Sequence, residues 1–197
     1  MRQKGLVLDQ RVRAVTEAAA RLFSTRGFME TSMEEIAQRA RMSKGGVYHY
    51  FGSKTEILYA IVSDFMDKVL EDIEAQLAGL DNAEERLSFL VRRHVEIYIR
   101  HMHAARVLLK HATNLPSDQL GQLTSKEERY YAAVAGVITP FLSQAPDRGV
   151  LTAVTFSLLG MCNWIYSWYD PTGPIGPERL SEIIIAIFTG GVRSVGQ

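Results

Sequence analysis

Residues 31–54 read TSMEEIAQRARMSKGGVYHYFGSK, and the way this stretch punctuates itself decides the fold. Ser32 followed three residues later by Glu35 is a capping box. The hydroxyl accepts from the Glu35 backbone N–H while the carboxylate accepts from the N–H of Ser32, satisfying two donors that a helix start leaves open. Met33, Ile36, Ala37 and Ala40 form a short apolar face, which predicts a helix of about two turns. Only Arg41 and Met42 separate it from Ser43, which can cap a further helix running to Tyr50. Two short helices joined by so tight a turn have the geometry that seats the second one in the major groove of DNA.

The residues of that second helix suit the task. Gly45 and Gly46 occupy its first turn, where glycine weakens a helix but lets backbone come close to a groove wall or a phosphate. Lys44 can reach a guanine edge or a phosphate, Tyr48 and Tyr50 offer hydroxyls to phosphate, and His49 can meet a base edge. Lys54 lies at the start of the following helix, beside the DNA backbone. Val47 and Phe51 read as core, and packing is the competing role for one of the two tyrosines.

Working outward, Val12, Val15, Ala19, Leu22 and Phe23 form a helical stripe that Gly27 can close in the left-handed conformation. On the other side, Ser53 with Glu56 is a second capping box, opening a long helix whose apolar period runs from Ile57 to Leu77 and stops at Gly79. Asp81 with Glu84 opens another helix, carrying Leu87, Leu90, Val91, Val95, Tyr98 and Met102. Pro116 ends the short helix after it, and Pro146 separates a helix around 120–142 from an uncharged one. Pro171, Pro174 and Pro177, with Gly173 and Gly176, make a rigid loop before a last helix over 178–192. No strand-like alternation is sustained. The pattern predicts an all-α fold of nine helices. A three-helix helix-turn-helix head spans residues 1–53, and a helical ligand-binding and dimerisation body spans 54–197, linked by the helix over 54–79.

Charge and composition fit a nucleic-acid partner for the head alone. The chain of 197 residues has a formal net charge of zero. Its first 60 residues carry ten Lys and Arg (Arg2, Lys4, Arg11 and Arg13 among them) against six acids, a net of +4 that the rest must balance. A basic head on an acidic body meets phosphate with one end only. The single cysteine, Cys162, excludes an intrachain disulfide, and no leader pattern opens the chain, which together predict the reducing cytoplasm. The uncharged stretch from Gly149 to Tyr169 is long enough to cross a bilayer. Thr152, Thr155, Ser157, Asn163 and Ser167 are scattered around it, so it reads as a central or interface helix and no membrane is expected.

No catalytic constellation is present: there is no phosphate-binding glycine loop after a strand, no metal motif and no nucleophile elbow. His94 and His101 stand seven apart with His103 and His111 nearby, but the spacing is loose and no cysteine joins them. They read as solvated or pocket-edge histidines, and no resident metal or cofactor is expected.

Within residues 9–60, the stretch from Thr31 to Lys54 resembles the signature of the TetR family of bacterial regulators. The resemblance implies a homodimeric repressor on palindromic double-stranded operator DNA, released by a small-molecule effector. It also implies that Thr31, Ser32, Ser43, Lys44, Gly45, Gly46, Tyr48, His49, Tyr50 and Lys54 are the DNA-contacting positions. One departure is Arg41, where many members have glycine; a left-handed arginine costs about 1 kcal/mol.

Further on, Gly160-Met161-Cys162-Asn163-Trp164 with Trp168-Tyr169-Asp170-Pro171 is similar to the TetR branch that controls fatty-acid, steroid and aromatic-acid breakdown and answers to CoA thioesters. An acyl-type effector, a CoA thioester foremost, is expected among Leu90, Tyr98, Met102, Tyr130, Met161 and Trp164, side chains that core packing explains equally well. Asn163 and Tyr166 would orient it, and Arg93, Arg100 or Arg106 would meet its anionic head. Control of an efflux pump by hydrophobic or cationic drugs, and metal sensing, are the alternatives. For the dimer, the uncharged helix and the last one supply Leu158, Ile183, Ile184, Ile187 and Phe188, with Gly160, Gly190 and Gly191 allowing close approach. Trp164 and Trp168, four apart, also read as packing or dimer residues.

Overall fold

Eleven α-helical segments make up the computed structural model, which describes residues 2–142 and 147–193, with side chains from Gln10 onward. In chain order these are α1 (Arg2–Arg26), α2 (Met33–Arg39), α3 (Lys44–Tyr48), α4 (Lys54–Leu70), α5 (Ile73–Ala78) and α6 (Ala83–Arg100). There follow α7 (Met102–His111), α8 (Ser117–Ile138), α9 (Arg148–Asn163), α10 (Ile165–Trp168) and α11 (Pro177–Val192), with 3-10 turns at Ala112–Asn114 and Thr139–Phe141. The nine expected rods are all present, two of them interrupted. The long fourth rod breaks at Asp72, whose φ of 51° is left-handed, and the uncharged one breaks at Trp164. Pro146 and the side chains of Arg2, Lys4 and Asp9 lie outside the described residues.

The caps behave as their chemistry dictates, with two adjustments. Gly27, at φ 111°, closes α1 with its N–H on the Phe23 carbonyl. Ser53 caps α4 through Glu56 N at 3.1 Å, but the returning Glu56 carboxylate accepts from Gly52 N at 2.8 Å instead of Ser53. The cap expected at Asp81 falls one residue later, where Asn82 Oδ1 accepts from Glu85 N at 2.8 Å.

The chain divides into two compact units, Met1–Met66 with His103–Thr124, and Asp67–Met102 with Ser125–Gln197. The first therefore reaches past the boundary expected at residue 53. Its core is built from Val15, Ala19, Phe23, Ile36, Val47, Ile57, Leu58 and Ile61, all at most 4% exposed. The reason α7 joins it is visible in two histidines. His103 Nδ1 lies 2.8 Å from Ser24 Oγ, and His111 Nε2 donates to the Phe23 carbonyl at 3.0 Å, tying α7 to the end of α1.

In the second unit α6 packs against α11, α9, α10 and α5. Leu87, Leu90, Val91 and Val95 of α6 meet a core shared with Val134, Ile138, Leu158, Ile165, Leu180, Ile184 and Phe188. Three residues expected at a dimer interface, Leu158, Ile184 and Phe188, are thus buried inside the chain itself, at 1%, 6% and 6% exposure. The outward face of the same helices is formed instead by Phe156, Gly160 and Trp164 of α9 and its end, and by Ile187, Gly190 and Gly191 of α11, with Ile183 half-buried.

Candidate functional site

The turn between α2 and α3 is held by backbone alone. Met42 N donates to Ala37 O at 2.9 Å and Arg41 N to Gln38 O at 3.1 Å, the paired bonds of a Schellman stop, with Arg41 at φ 55° in the left-handed position. At the start of α2, Ser32 N donates to Glu35 Oε2 at 2.8 Å and Glu35 N to Ser32 Oγ at 3.2 Å. These contacts with the Ser32 backbone and hydroxyl, and the Arg26 guanidinium 2.7 Å away, hold the Glu35 carboxyl below the usual carboxylate range. Ser43 Oγ accepts from Gly46 N at 3.0 Å and starts α3. Buried Val47 anchors that helix, leaving Lys44, Gly45, Tyr48 and His49 exposed and Gly46 and Tyr50 half-buried. Tyr50 is steadied by the His49 ring, 5.0 Å away edge-on. Beside the turn, a cleft of about 370 Å³ is lined by Gln10, Arg11, Ala14, Arg41, Met42, Ser43 and Gly46, giving the exposed face two guanidinium groups.

The two glycines have different reasons. A Cβ on Gly46 would lie 3.1 Å from the capping Ser43 oxygen, so Gly46 protects the cap. A Cβ on Gly45 would meet nothing within 4 Å. Nothing inside the protein demands glycine there, and the helix is weaker for it. Gly45→Ala is therefore expected to raise the stability of the free protein by about 0.5–1 kcal/mol while weakening DNA binding roughly tenfold, ~1.4 kcal/mol. Thermal unfolding paired with a fluorescence titration on operator DNA reads both signs.

Two expected DNA contacts are structural instead. Thr31 is 2% exposed, and its hydroxyl donates to the Gly27 carbonyl at 2.7 Å. Lys54 turns its ammonium into the loop between α1 and α2, donating to the carbonyls of Phe28 at 2.6 Å, Thr31 at 2.8 Å and Met29 at 3.3 Å. It also sits 4.5 Å over the Phe28 ring. All three of its hydrogens have protein acceptors, so Lys54 braces the helix-turn-helix from behind.

The second unit contains a small cavity of about 10 Å³, lined by Leu90, Val91, His94, Tyr130, Val134, Leu158, Leu159 and Cys162. Of the expected effector residues, Leu90 and Tyr130 line it, and Tyr98 stacks on His94 with ring centroids 4.0 Å apart. His94 was legible in retrospect: it follows Leu87, Leu90 and Val91 at helical spacing and so falls on the apolar stripe of α6. Burial pushes its pKa down to about 3, and Asn163 beside it offsets the fall only in part. Its Nδ1 shares a 2.7 Å hydrogen bond with the Tyr130 hydroxyl. Its Nε2 and the Oδ1 of Asn163 are both buried and pair with each other in a hydrogen bond of poor geometry. Burial also pushes the Cys162 thiol up to about 12, so it stays protonated.

The remaining effector candidates do not line the cavity. Met102, Met161 and Tyr166 are half-buried, and Arg106 belongs to the first unit. Trp164 points outward, 61% exposed. Arg93 is engaged elsewhere: its guanidinium donates to the carbonyls of Lys68 at 3.0 Å and Glu71 at 2.6 Å, capping the end of α4. Among the described residues no three His, Cys, Asp or Glu side chains cluster as metal ligands.

A capped, glycine-bared helix held out by a tight turn, on a unit joined to a helical body with an apolar cavity, defines a helix-turn-helix regulator of the sensor type. Comparison with known proteins narrows this. Residues 15–61 match the family described as bacterial regulatory proteins, tetR family, and residues 80–192 match the Tetracyclin repressor-like C-terminal domain. A TetR-family regulator from Bordetella parapertussis superposes with a TM-score of 0.85 at 30% identity, covering 90% of this chain and 93% of that one. AibR, solved in complex with isovaleryl coenzyme A and operator DNA, superposes at 0.76 with 30% identity over 90% of this chain and 97% of its own. The transcriptional repressor KstR2 of Mycolicibacterium smegmatis is 27% identical over 182 residues, 89% of this chain and 87% of that protein. The chain belongs to the TetR family of transcriptional regulators.

Proposed function

We propose that the chain is a repressor that grips a palindromic operator as a homodimer and releases it when an acyl-type effector, a CoA thioester of a fatty or aromatic acid, enters the second unit. It works in the cytoplasm, where its DNA is, and is a sensor with no resident cofactor and no enzymatic role. The observation that carries the DNA half is the outward face of α3, where Lys44, Gly45, Tyr48 and His49 are exposed together while Val47 anchors the helix. Ser32, Ser43, Gly46 and Tyr50 complete the DNA-facing set, with Arg11 and Arg41 beside it for phosphate. For the effector, the support is the uncharged lining of the cavity and the likeness to AibR, which was solved with isovaleryl coenzyme A. An uncharged wall offers nothing to a cationic drug.

The dimer would form through the outward faces of α9 and α11. Residues 148–168 are apolar enough and long enough to cross a membrane, yet only 33% of an 18-residue window within that stretch is buried. Phe156 and Ile187, 60% and 61% exposed, and the open glycines at 160, 190 and 191 make a surface that a second copy can cover. Ile187→Glu is expected to leave a monomer at micromolar concentration by sedimentation. It should lose roughly a hundredfold or more in affinity for a palindromic site, because two linked heads bind far more tightly than one.

Two recognition helices must then sit about 34–36 Å apart to meet successive major grooves. The effector changes that spacing through the chain itself: α6 carries His94, and its continuation, α7, is the helix that His103 and His111 fasten to α1. A hundredfold loss of operator affinity requires a preference of about 2.7 kcal/mol for the non-binding state, and DNA must weaken effector binding by the same factor. The test is a mobility shift on the chain's own promoter with free acids, CoA thioesters, metals and cationic drugs. Release by a thioester is expected; release by metals or drugs and by no thioester discards the reading.

A further inference from the structure

Arg41 holds a conformation that nothing inside the protein explains. Its φ of 55° puts it in the left-handed region, where the Cβ of an L-residue crowds the following carbonyl oxygen. Among the described residues one other non-glycine does the same, Asp72, and aspartate is among the few residue types that tolerate the region. Arginine is not. The turn gives no reason for it: the bonds that close α2, Met42 N to Ala37 O and Arg41 N to Gln38 O, use backbone atoms only, and glycine would make both without strain. Nor does the side chain offset the strain from within. It is exposed and makes no hydrogen bond or ion pair among the described residues. A strained residue that the fold does not use points to a use outside the fold.

What the strain achieves is placement. Arg41 reaches the cleft of about 370 Å³ from the turn and Arg11 reaches it from α1, while Ala14, Ala40 and Gly46 add little bulk and no carboxylate lines it. Ser43 lines it too. Its Oγ accepts from Gly46 N at 3.0 Å, which leaves the hydroxyl hydrogen free to be donated. Two planar guanidinium forks and a hydroxyl, with no acid among them, suit a tetrahedral oxyanion. We propose that this cleft is a phosphate cradle, in which Arg11, Arg41 and Ser43 together hold one phosphodiester of the DNA backbone beside the groove that α3 enters. The backbone bonds at Arg41 and Met42 pin the root of the Arg41 side chain, so little besides side-chain freedom is lost when the phosphate arrives. Because Ser43 is also the cap of α3, a phosphate seated here fixes how that helix sits in the groove without reading a base. The inference rests on reading this unit as the DNA-binding one and deepens it: the left-handed arginine is retained for the phosphate, at the expense of the free fold.

The test measures melting and DNA binding of the full-length protein, on its own promoter fragment and on an unrelated duplex of equal length, over a range of salt concentrations. Arg41→Gly is expected to melt about 1–3 °C higher, the relief of strain less the extra chain freedom of glycine. It should bind both duplexes more weakly, by a similar factor of about ten, because a phosphate contact carries no sequence information. Arg41→Lys keeps the strain and the charge but loses the fork; it is expected to melt as the wild type does, to keep the salt slope and to bind within about threefold of it. The double variant Arg11→Ala/Arg41→Gly is expected to lose about 0.9 of salt slope per head, the share of one phosphate. A loss of about 1.8 per head would give each arginine a phosphate of its own and overturns the shared cradle. So does an Arg41→Gly protein that binds as the wild type does, that melts lower, or that weakens on the promoter alone, and so does a lysine variant as weak as the glycine one. Wild-type protein that binds neither duplex discards the DNA-binding reading and the cradle with it, whereas wild-type binding beside an inert Arg41 discards the cradle alone.

Discussion

Replacing Lys54 by methionine is expected to unfold the helix-turn-helix head before it removes any contact with DNA. The ammonium bridges three carbonyls of the loop between α1 and α2, at 2.6, 2.8 and 3.3 Å, and lies over the Phe28 ring. Each hydrogen bond from a charged donor contributes about 1.5–3 kcal/mol, but these share one side chain and one of them is solvent-exposed, so the combined loss is about 2–4 kcal/mol. Methionine keeps the apolar stem against Phe28 and removes only the charge, which isolates that effect. Urea denaturation should show the loss directly. Operator binding measured at a temperature where the variant is still folded should keep the salt slope of the wild type. A variant that melts normally but loses the roughly 0.9 of slope belonging to one phosphate contact would restore Lys54 to the DNA surface.

The misreading of Lys54 shows where the sequence stops being informative. Local signals were legible because their partners lie within four residues: the Ser32–Glu35 box, the Ser43 cap, the left-handed closures at Gly27 and Arg41. The acceptors of Lys54 lie 23 to 26 residues away, in a loop whose carbonyls no spacing rule locates. The same holds for Arg93, which caps a helix 22 and 25 residues upstream. The uncharged helix failed for a different reason. A helix apolar nearly all round has no clear inward face, and here the polar Thr155 is fully buried, its hydroxyl donating to Leu151 O at 2.7 Å, while its neighbour Phe156 is 60% exposed. A hydroxyl that returns its hydrogen to its own helix can be buried at little cost, so polarity along the sequence pointed outward where the fold pointed inward. On α6, by contrast, the apolar stripe was regular, and the histidine on it was buried as that stripe requires.

That buried histidine makes the protein acid-sensitive. In the folded state burial holds the His94 pKa at about 3 against an ordinary value of 6.5, with neutral Tyr98, Tyr130, Cys162 and Asn163 as its neighbours. The unfolded chain therefore takes up a proton below about pH 6.5 that the folded chain refuses until about pH 3. The unfolded state binding more protons means that stability rises with pH across that window and is lost as pH falls through it. The slope is about 1.4 kcal/mol per pH unit, so this one group should remove about 2–3 kcal/mol between pH 6.5 and 4.5. Above pH 6.5 it contributes no pH dependence. His103, whose pKa is also lowered, chiefly by burial and then by Arg21, Arg106 and Arg39, acts in the same direction, so wild-type data alone do not isolate His94. Comparison with His94→Gln does, because glutamine keeps a hydrogen-bonding amide in the cavity and takes up no proton. Urea denaturation at pH 7.5, 6 and 4.5 is expected to show the wild type losing stability by about one proton's slope more than the variant. Parallel curves for the two proteins would mean that His94 titrates alike in both states, and the cavity would then be a wet and open site in solution.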